Sequence, residues 1–582
     1  MARSTGTGGG GILGLIERVG NALPDPVTLF LGGAILVMVL SAIGAGAGWS
    51  VEKPLVRIVM QDVVDSGTGK PVAALSIVEK DRRPVLITDA DGNPLPKPVR
   101  EPVLNEKRDL VREEGVEVVK ARSLLSRDGL HWVFDNLVKN FTGFHPLGVV
   151  LVAMLGIGVA EKVGLIGALL KAMVLITPSR LLTPAMVMVG ITSSLAADAG
   201  YVVLPPLAAA LYKAVGRSPL AGMAAVFAGV SAGFSANFII TSLDPLLSGL
   251  AQEGARILDP SYVVAPTCNW YFMIVSTIVL TMAGWFVTAK FVEPRYANKP
   301  ADQGGPSTLT AEEQETRHLS PGEIRGLKIA GFTLLLALAA CLALIFLPGA
   351  PLNTPAGETT PRWSNAIVPM LLFCFIAPGI AYGMVCGTIL SETGAKRLDG
   401  GVARLMGRSM ADMGPYIVLA FFAAQFVAFF NYSNLGIMLA IVGGEALAAA
   451  SLPPWALMAL FIVVAMVGNL FIGSASAKFA FFAPVFIPMF MRVGISPELT
   501  QAAYRVGDSV TNIITPLNPY FVVILVFMQR YFPKGGIGTL VAMMLPYTIV
   551  FWIIWTILLI GWMLLGIPLG PAGPLTYTPP GA

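Results

Sequence analysis

The sequence predicts an all-α polytopic membrane protein: nine transmembrane helices plus two re-entrant hairpins in inverted repeats, with a small β-rich extracytoplasmic insertion. Three observations predict it. Of 582 residues, 55% are hydrophobic and 13% charged, and the mean hydropathy is +0.72. Soluble domains carry about 25% charged residues, so a water-soluble fold of this size would expose apolar surface on a scale that soluble monomers avoid. Apolar runs of about 20 residues, the length that crosses a bilayer, recur along the chain. Two further apolar stretches behave as hairpins rather than spans, and each precedes the same polar phrase.

The spans, in order, are Val27–Ala47, Pro146–Ile176, Leu220–Leu250, Pro266–Lys290, Gly326–Leu347, Ala366–Ile389, a broken run Ala411–Ala450, Ala503–Met528 and Gly538–Ile567. The N-terminal twenty residues lack the compact apolar run and small-residue site of a cleavable signal, so the first span reads as retained. Arg3 and Arg18 place the N-terminus in the cytoplasm. The following segment, 49–145, is then extracytoplasmic. Its alternating stretches VEKPLVRIVMQDVVD and PVAALSIVEKDRRPVLITDADGNPLPKP, with an Asp-Gly-Asn-Pro turn signal, read as strands.

Thr183–Tyr212 is flanked by Lys171 and Arg180 at its start and by Lys213 and Arg217 at its end. Both flanks belong in the cytoplasm, so this segment leaves and returns on one side. Folded in half, it gives legs of about 15 residues, or roughly 22 Å at 1.5 Å per residue. The turn falls at Ser193–Asp198, its most polar part. Onward, basic loops at 291–325 and 395–408 keep the parity, and a second hairpin entered from outside, Trp455–Met491, leaves Arg530 and Lys534 cytoplasmic. The C-terminus then lies outside. The chain divides into 1–48, the insertion 49–145, a first transport repeat 146–290 with hairpin 183–212, a cytoplasmic loop 291–325, scaffold helices 326–410, a second repeat 411–528 with hairpin 455–491, and a last span and tail 529–582.

The repeat is written in the residues. Asn237–Pro245 (NFIITSLDP) returns as Asn512–Pro519 (NIITPLNP): Ile239, Ile240, Thr241, Leu243 and Pro245 recur 274 positions later, with Asp244 replaced by Asn518. Gly190, Pro206 and Ser218-Pro219 recur 278 positions later as Gly468, Pro484 and Ser496-Pro497. Each half therefore reads hairpin, Ser-Pro loop, interrupted helix. Secondary transporters build midplane sites from such repeats and broken helices.

Broken backbone at membrane depth belongs where it lines a cavity or is buried in protein. Ser193 and Ser194 at the first hairpin tip, Ser231, Ser235, Asn237 and Thr241 in the first half, and Ser509, Thr511, Asn512 and Thr515 in the second supply hydroxyl and amide oxygens of the kind a small cation takes. Hydrogen bonding between helices is the alternative use of the same groups. Ionisable residues in the membrane are functional candidates. Asp198 lies in the first hairpin. Arg505 and Asp508, three apart on one helix, form either a structural ion pair or a carboxylate anchor (Arg505) beside a cation- or proton-coupling group (Asp508). Lys478 and the Glu161-Lys162 pair are weaker candidates. Na+ and H+ both stand as coupling ion, with no other cofactor.

The remaining classes are excluded on chemistry. Basic residues are scattered, which argues against a nucleic-acid partner. Cys268, Cys341, Cys374 and Cys386 sit in or beside apolar segments without metal-type spacing, and His131, His145 and His318 lie outside the spans. Gly229-Val-Ser-Ala-Gly233 matches a nucleophile elbow in letters only, since it falls within an apolar helix and not at a strand-to-helix turn. No enzyme is expected.

The segments SSLAADAGYVVLPPLAA (193–209), GFSANFIITSLDPLLSG (233–249), NYSNLGIMLA (431–440), GNLFIGSASAKFAFFAPVFIPMF (468–490) and AAYRVGDSVTNIITPLNPY (502–520) resemble the p-aminobenzoyl-glutamate transporter (AbgT) family. The resemblance covers the membrane part; the segment 49–130 looks longer than is usual and carries none of it. It implies a homodimer in the inner membrane, uptake of p-aminobenzoyl-glutamate and export of sulfonamide-type antimetabolites. It places site residues on Asp198, Asn469, Ser476, Pro497, Arg505, Asp508 and Pro516. Where the family typically has Trp, this chain has Phe479, which keeps a stacking surface and loses the indole N–H donor. A Na+-coupled dicarboxylate transporter of related architecture is the alternative, and an ion channel is a weaker one. If Arg505 holds a substrate carboxylate, Arg505→Ala will impair uptake of labelled p-aminobenzoyl-glutamate far more than transport of a sulfonamide; equal loss of both would remove that role.

Overall fold

The computed structural model describes residues 26–58, 60–62, 73–75, 77–80, 83–86, 96–98, 100–102, 112–196, 199–308, 319–354, 362–515, 517–518 and 520–579. Two compact units emerge: residues 48–120 with the last five residues, and a helical unit of 1–47 and 121–577.

The smaller unit is β-rich, as its alternating sequence predicts. Four two-stranded antiparallel ladders nest inside one another: Ser50–Ile58 with Arg112–Lys120, Met60–Asp62 with Arg100–Pro102, Ala73–Leu75 with Pro96–Pro98, and Ile77–Lys80 with Arg83–Leu86. The Asp-Gly-Asn-Pro turn signal lies outside the described residues.

This unit ends earlier than the expected boundary at 145. Arg127–Thr142 is a helix of the helical unit, capped by Ser126, which accepts from the Gly129 N–H. Its Trp132 stacks on Tyr432 with ring centroids 4.3 Å apart, and Asn140 donates to Gln425 at 2.9 Å, so it packs on the helix Gly414–Tyr432. Charges on its other face hid it from a search for apolar runs. His131 lies on this helix and His145 opens the next.

Seven helices among the described residues are long and apolar enough to cross a membrane: Val27–Gly46, Arg127–Lys162, Trp270–Tyr296, Pro321–Phe346, Ile367–Cys386, Gly414–Tyr432 and Ile537–Leu565. An eighth follows if Leu165–Leu175 and Ser179–Thr192, bent by 111°, count as one. The difference from nine has a physical cause, because several expected spans are broken. The run 146–176 stops at Lys162 and restarts at Leu165, across Gly164 at φ +87°, a left-handed conformation that glycine adopts without strain. The run 411–450 breaks at Ser433-Asn434, with Asn434 at φ 62°. Leu220–Leu250 becomes a helix Pro219–Phe227, a π turn Ala228–Ala232, a non-helical stretch and a helix Leu243–Ala255. Ala503–Met528 becomes Pro497–Val510, a non-helical stretch and Phe521–Tyr531.

Each stretch expected to form a hairpin contains two helices. In the first, the helix Leu182–Thr192 runs into a 3-10 turn at Ser193–Ala196, and a second helix covers Ala199–Ala214. Its two ends meet: Tyr212 Oη donates to Thr183 Oγ1 at 2.7 Å, Arg217 Nη2 reaches the same oxygen at 2.8 Å, and Arg217 pairs with Glu293. In the second, Pro454–Asn469 and Ala475–Arg492 flank a short tip, and Phe461 packs on Phe486 and Phe490 at 5.0 and 5.2 Å.

After each hairpin the same local structure recurs. Ser218 and Ser496 cap their helices, with Pro219 and Pro497 in the first turn, where a missing N–H costs nothing. Each capping hydroxyl also lies 2.6 Å from a distant carbonyl, Gly304 in one half and Pro574 in the other. Gly229 and Gly507, 278 positions apart, mark where each broken helix crosses its hairpin. A Cβ on Gly229 would lie 2.3 Å from the Val187 carbonyl oxygen, and one on Gly507 2.4 Å from that of Ile462. Small residues permit such close crossings inside membranes. Gly507→Ala and Gly229→Ala are therefore expected to destabilise by about 1–3 kcal/mol. Gly561→Ala, whose Cβ meets nothing within 4 Å, is expected to be neutral or to stabilise by up to about 1 kcal/mol. Thermal unfolding of detergent-solubilised protein measures both, and equal shifts would contradict the close crossings.

Candidate transport site

The two broken helices meet where each is unwound. The second carries Arg505 and Asp508 one turn apart, and the structure gives them different partners instead of each other. Arg505 Nη2 lies 2.7 Å from Asp244 Oδ1, at the start of the helix that follows the first break. Asp508 Oδ1 lies 2.6 Å from Lys478 Nζ, on the second hairpin. The reading of Arg505 and Asp508 as one ion pair is thereby corrected. All four side chains are almost wholly removed from solvent, Arg505 and Lys478 at 0% exposure. Isolated charges so buried are untenable, and pairing is what makes them tolerable.

Each pair sits in a polar shell. Asp244 Oδ2 accepts from the Thr241 N–H at 2.7 Å, Thr241 Oγ1 at 2.9 Å and Asn237 Nδ2 at 3.4 Å. Arg505 Nη1 makes only a long contact, 3.4 Å, to the Ser235 carbonyl, and Nε has no hydrogen-bond partner among the described residues. Lys478 Nζ donates to Asn469 Oδ1 as well as to Asp508. That bond fixes the Asn469 amide, whose Nδ2 lies 2.8 Å from three acceptors: the Asp508 carbonyl, Thr511 Oγ1 and Asn512 Oδ1. An NH2 group has two hydrogens, so this cluster has more oxygen than donors. Asp508 Oδ2 also has no hydrogen-bond partner among the described residues.

Ser231 joins the two shells, accepting at Oγ from Asn518 Nδ2 at 3.1 Å and at its carbonyl from Asn512 Nδ2 at 3.5 Å. The Ser235 N–H donates to Ser509 Oγ at 3.2 Å, across the two halves. Tyr504 Oη lies 2.6 Å from the Ala475 carbonyl and 3.2 Å from Asp508 Oδ1, and its ring packs 4.4 Å from that of Phe479.

The expected residues divide accordingly. Asn469, Arg505, Asp508, Ser231, Ser235, Asn237, Thr511 and Asn512 come together. Phe479 is near but fully buried against Tyr504, so its ring faces no open space in this conformation. Ser476 is half-buried at the second hairpin's tip, 3.3 Å from Ser474 Oγ. Pro497 opens its helix, a structural position. Ser193 bonds back to the Gly190 carbonyl at 2.6 Å, and the buried Ser194 hydroxyl has no hydrogen-bond partner among the described residues; no hydrogen bond between described residues ties either to the network. Asp198 and Pro516 lie outside the described residues. Lys162 pairs with Asp412 in a partly exposed position, far from an intramembrane role.

Asp244, Asn518 and Tyr504 were missed, and Lys478 was ranked too low. Asp244 and Asn518 carried a signal, being the one charged-to-neutral exchange within the repeated phrase. A cavity of about 440 Å³ at the base of the second hairpin, lined by Pro454, Ile495, Leu499, Met563, Pro574 and Thr576, holds no ionisable residue and touches none of this network. The charged site is closed in this conformation.

Residues 11–89 and 98–577 match the AbgT transporter family. The chain belongs to that family. It is a multi-pass membrane transporter and not an enzyme. The match runs into the 49–130 segment on both sides of residues 90–97, which corrects the expectation that this segment carries none of the resemblance. The p-aminobenzoyl-glutamate transport protein of Escherichia coli (strain K12) is 32% identical over 567 residues, covering 97% of this chain and 96% of that protein. Two solved AbgT-family structures are each 40% identical. The YdaH transporter of Alcanivorax borkumensis superposes with a TM-score of 0.75, over 94% of this chain and 100% of that one. Neisseria gonorrhoeae MtrF, one of a class of antimetabolite efflux pumps, superposes with a TM-score of 0.79, over 97% and 100%.

Lys478→Met leaves Asp508 buried without its counter-charge, and is expected to cost about 3–5 kcal/mol. Lys478→Met with Asp508→Asn removes both charges and should regain most of that stability while remaining transport-dead. Thermal unfolding and uptake assays read the two effects; a single variant as stable as the parent would contradict the pair.

Proposed function

We propose that this chain is a cation-coupled secondary transporter of p-aminobenzoyl-glutamate, with sulfonamide-type antimetabolites as a second substrate class. The observation that carries this reading is Arg505, a fully buried guanidinium at the meeting of the two broken helices with donor capacity left over. A guanidinium binds a carboxylate through two parallel hydrogen bonds, and p-aminobenzoyl-glutamate offers two carboxylates and an aniline ring. Membership in a family whose E. coli relative is named for that substrate supports it. Phe479 and Tyr504 supply aromatic faces beside the pair, and Ser476 and Pro497 shape the hairpin tip and helix start around it. Asp198 and Pro516 complete the proposed substrate set.

Asn469, Asp508, Thr511 and Asn512 form the proposed coupling site, because their oxygens outnumber the donors around them; Ser193, Ser194, Ser231, Ser235 and Asn237 are its proposed partners in the first half. A coupling cation at Asp508 competes with the Lys478 ammonium, which holds Oδ1 while Oδ2 has no hydrogen-bond partner among the described residues. That ties ion binding to movement of the second hairpin, and the closed site supports a cycle in which the hairpins open alternately. Nine spans with two oppositely entering hairpins, a cytoplasmic N-terminus, an extracytoplasmic C-terminus, an inner-membrane location and a homodimer complete the proposal.

One charge moving through 100 mV is worth about 2.3 kcal/mol, enough for a gradient of about fifty-fold. Radiolabelled p-aminobenzoyl-glutamate flux in proteoliposomes, with Na+ and pH gradients imposed separately, tests the reading. Accumulation driven by one of them is expected and identifies the ion. Absence of flux under either would overturn the substrate assignment.

A further inference from the structure

Asp244 and Asn518 are repeat mates, 274 positions apart, and each reaches the broken helix of the other half, one with charge and one without. Asp244 Oδ1 lies 2.7 Å from Arg505 Nη2, and Asn518 Nδ2 lies 3.1 Å from Ser231 Oγ. The two helices they reach match at an offset of 278, which sets Arg505 against Phe227 and Ser231 against Ser509, so only one half carries a cation here. The neutral version holds its side of the crossing with a single hydrogen bond, so the architecture does not require charge at this place. A buried ion pair is weak evidence for stability against neutral groups of similar shape.

The charged version is also incompletely joined. Asp244 gives Arg505 one oxygen, Oδ1, while Oδ2 is held by Thr241 and Asn237. Arg505 keeps Nε without an acceptor and Nη1 on a long contact. A carboxylate arriving from solution can offer the guanidinium two oxygens where Asp244 offers one. Asp244, once released, keeps its Oδ2 donors at the first turn of its helix, a position that favours a negative charge.

We infer that Asp244 is a built-in placeholder: its carboxylate occupies Arg505 while the site is empty, and the substrate's carboxylate takes its place on binding. This rests on the reading that Arg505 anchors the substrate. Asp244 then sets affinity and selectivity for carboxylate substrates, since each must outcompete it, whereas a substrate without a carboxylate need not.

Equilibrium binding to purified full-length protein tests this with three probes: p-aminobenzoyl-glutamate, glutarate and sulfanilamide. Asp244→Asn is expected to tighten binding of the two carboxylates at least ten-fold and to leave sulfanilamide within two-fold of the parent. Unchanged or weaker carboxylate binding by the folded variant would overturn the inference. Should Asp244→Asn not fold, Asp244→Ser, which also removes the competing carboxylate and keeps Arg505, is measured with the same three probes. Tighter binding of both carboxylates with sulfanilamide unchanged is expected again; carboxylate affinity equal to or below the parent's overturns the inference. A parent protein that ignores p-aminobenzoyl-glutamate while Asp244→Asn tightens glutarate would sink the substrate assignment and uphold the placeholder.

Discussion

Four charges that water cannot reach are paired across the crossing of two broken helices, and much of the helical unit is arranged around that fact. A pair at contact distance is attracted far more strongly in a low-dielectric interior than in water, but each ion has lost its hydration. The balance holds only while partners stay in register. Those partners come from separate elements: Arg505 takes Asp244 from the other half, and Asp508 takes Lys478 from the second hairpin. Rigid crossings at Gly229 and Gly507 keep the elements close enough for this. In the proposed cycle, a movement of the second hairpin separates Lys478 from Asp508, and a cation or proton at Asp508 offsets the loss, so the proposal ties charge pairing to conformational change.

The unwound backbone imposes the second constraint. At membrane depth a carbonyl or N–H without a partner costs several kcal/mol, and two breaks expose many. Trp270 Nε1 donates to the Phe238 carbonyl at 2.9 Å, Asn518 Nδ2 to that of Asn512 at 3.1 Å, and Asn469 Nδ2 to that of Asp508 at 2.8 Å. Serine, threonine and asparagine at the breaks thus serve the backbone first. Their abundance in the sequence was read as a supply of ion ligands, but much of that oxygen is already engaged, and only the cluster around Asn469 carries an excess.

How far the sequence revealed this follows from range. The breaks were legible because Asn, Pro and paired isoleucines repeat in order. Glycine at 164 and asparagine at 434 were not read as helix stops, since single residues in apolar runs carry little weight until their backbone angles are known. The helix Arg127–Thr142 was lost because its stripe is apolar on one side only. The Arg505–Asp244 contact spans 261 residues, and no periodicity reports such a pairing. Proximity on one helix offered Asp508 as an alternative partner for Arg505, and the structure gives Asp508 to Lys478 from the hairpin.

The repeat also shows where symmetry has been given up. Counting back 278 positions from Lys478 arrives at Gly200, and from Asn469 at Ile191. At Gly200 a Cβ would lie 2.2 Å from Ser193 Oγ, so the first hairpin is packed tight where the second carries an ammonium. At these two positions the first hairpin is held by packing and back-bonded hydroxyls, and the second by ionic contacts. Packing of that kind is insensitive to the arrival of an ion, whereas an ammonium on a carboxylate responds to it directly. On the proposed reading the second hairpin, with its ammonium on a carboxylate, is the one whose position answers to the contents of the site.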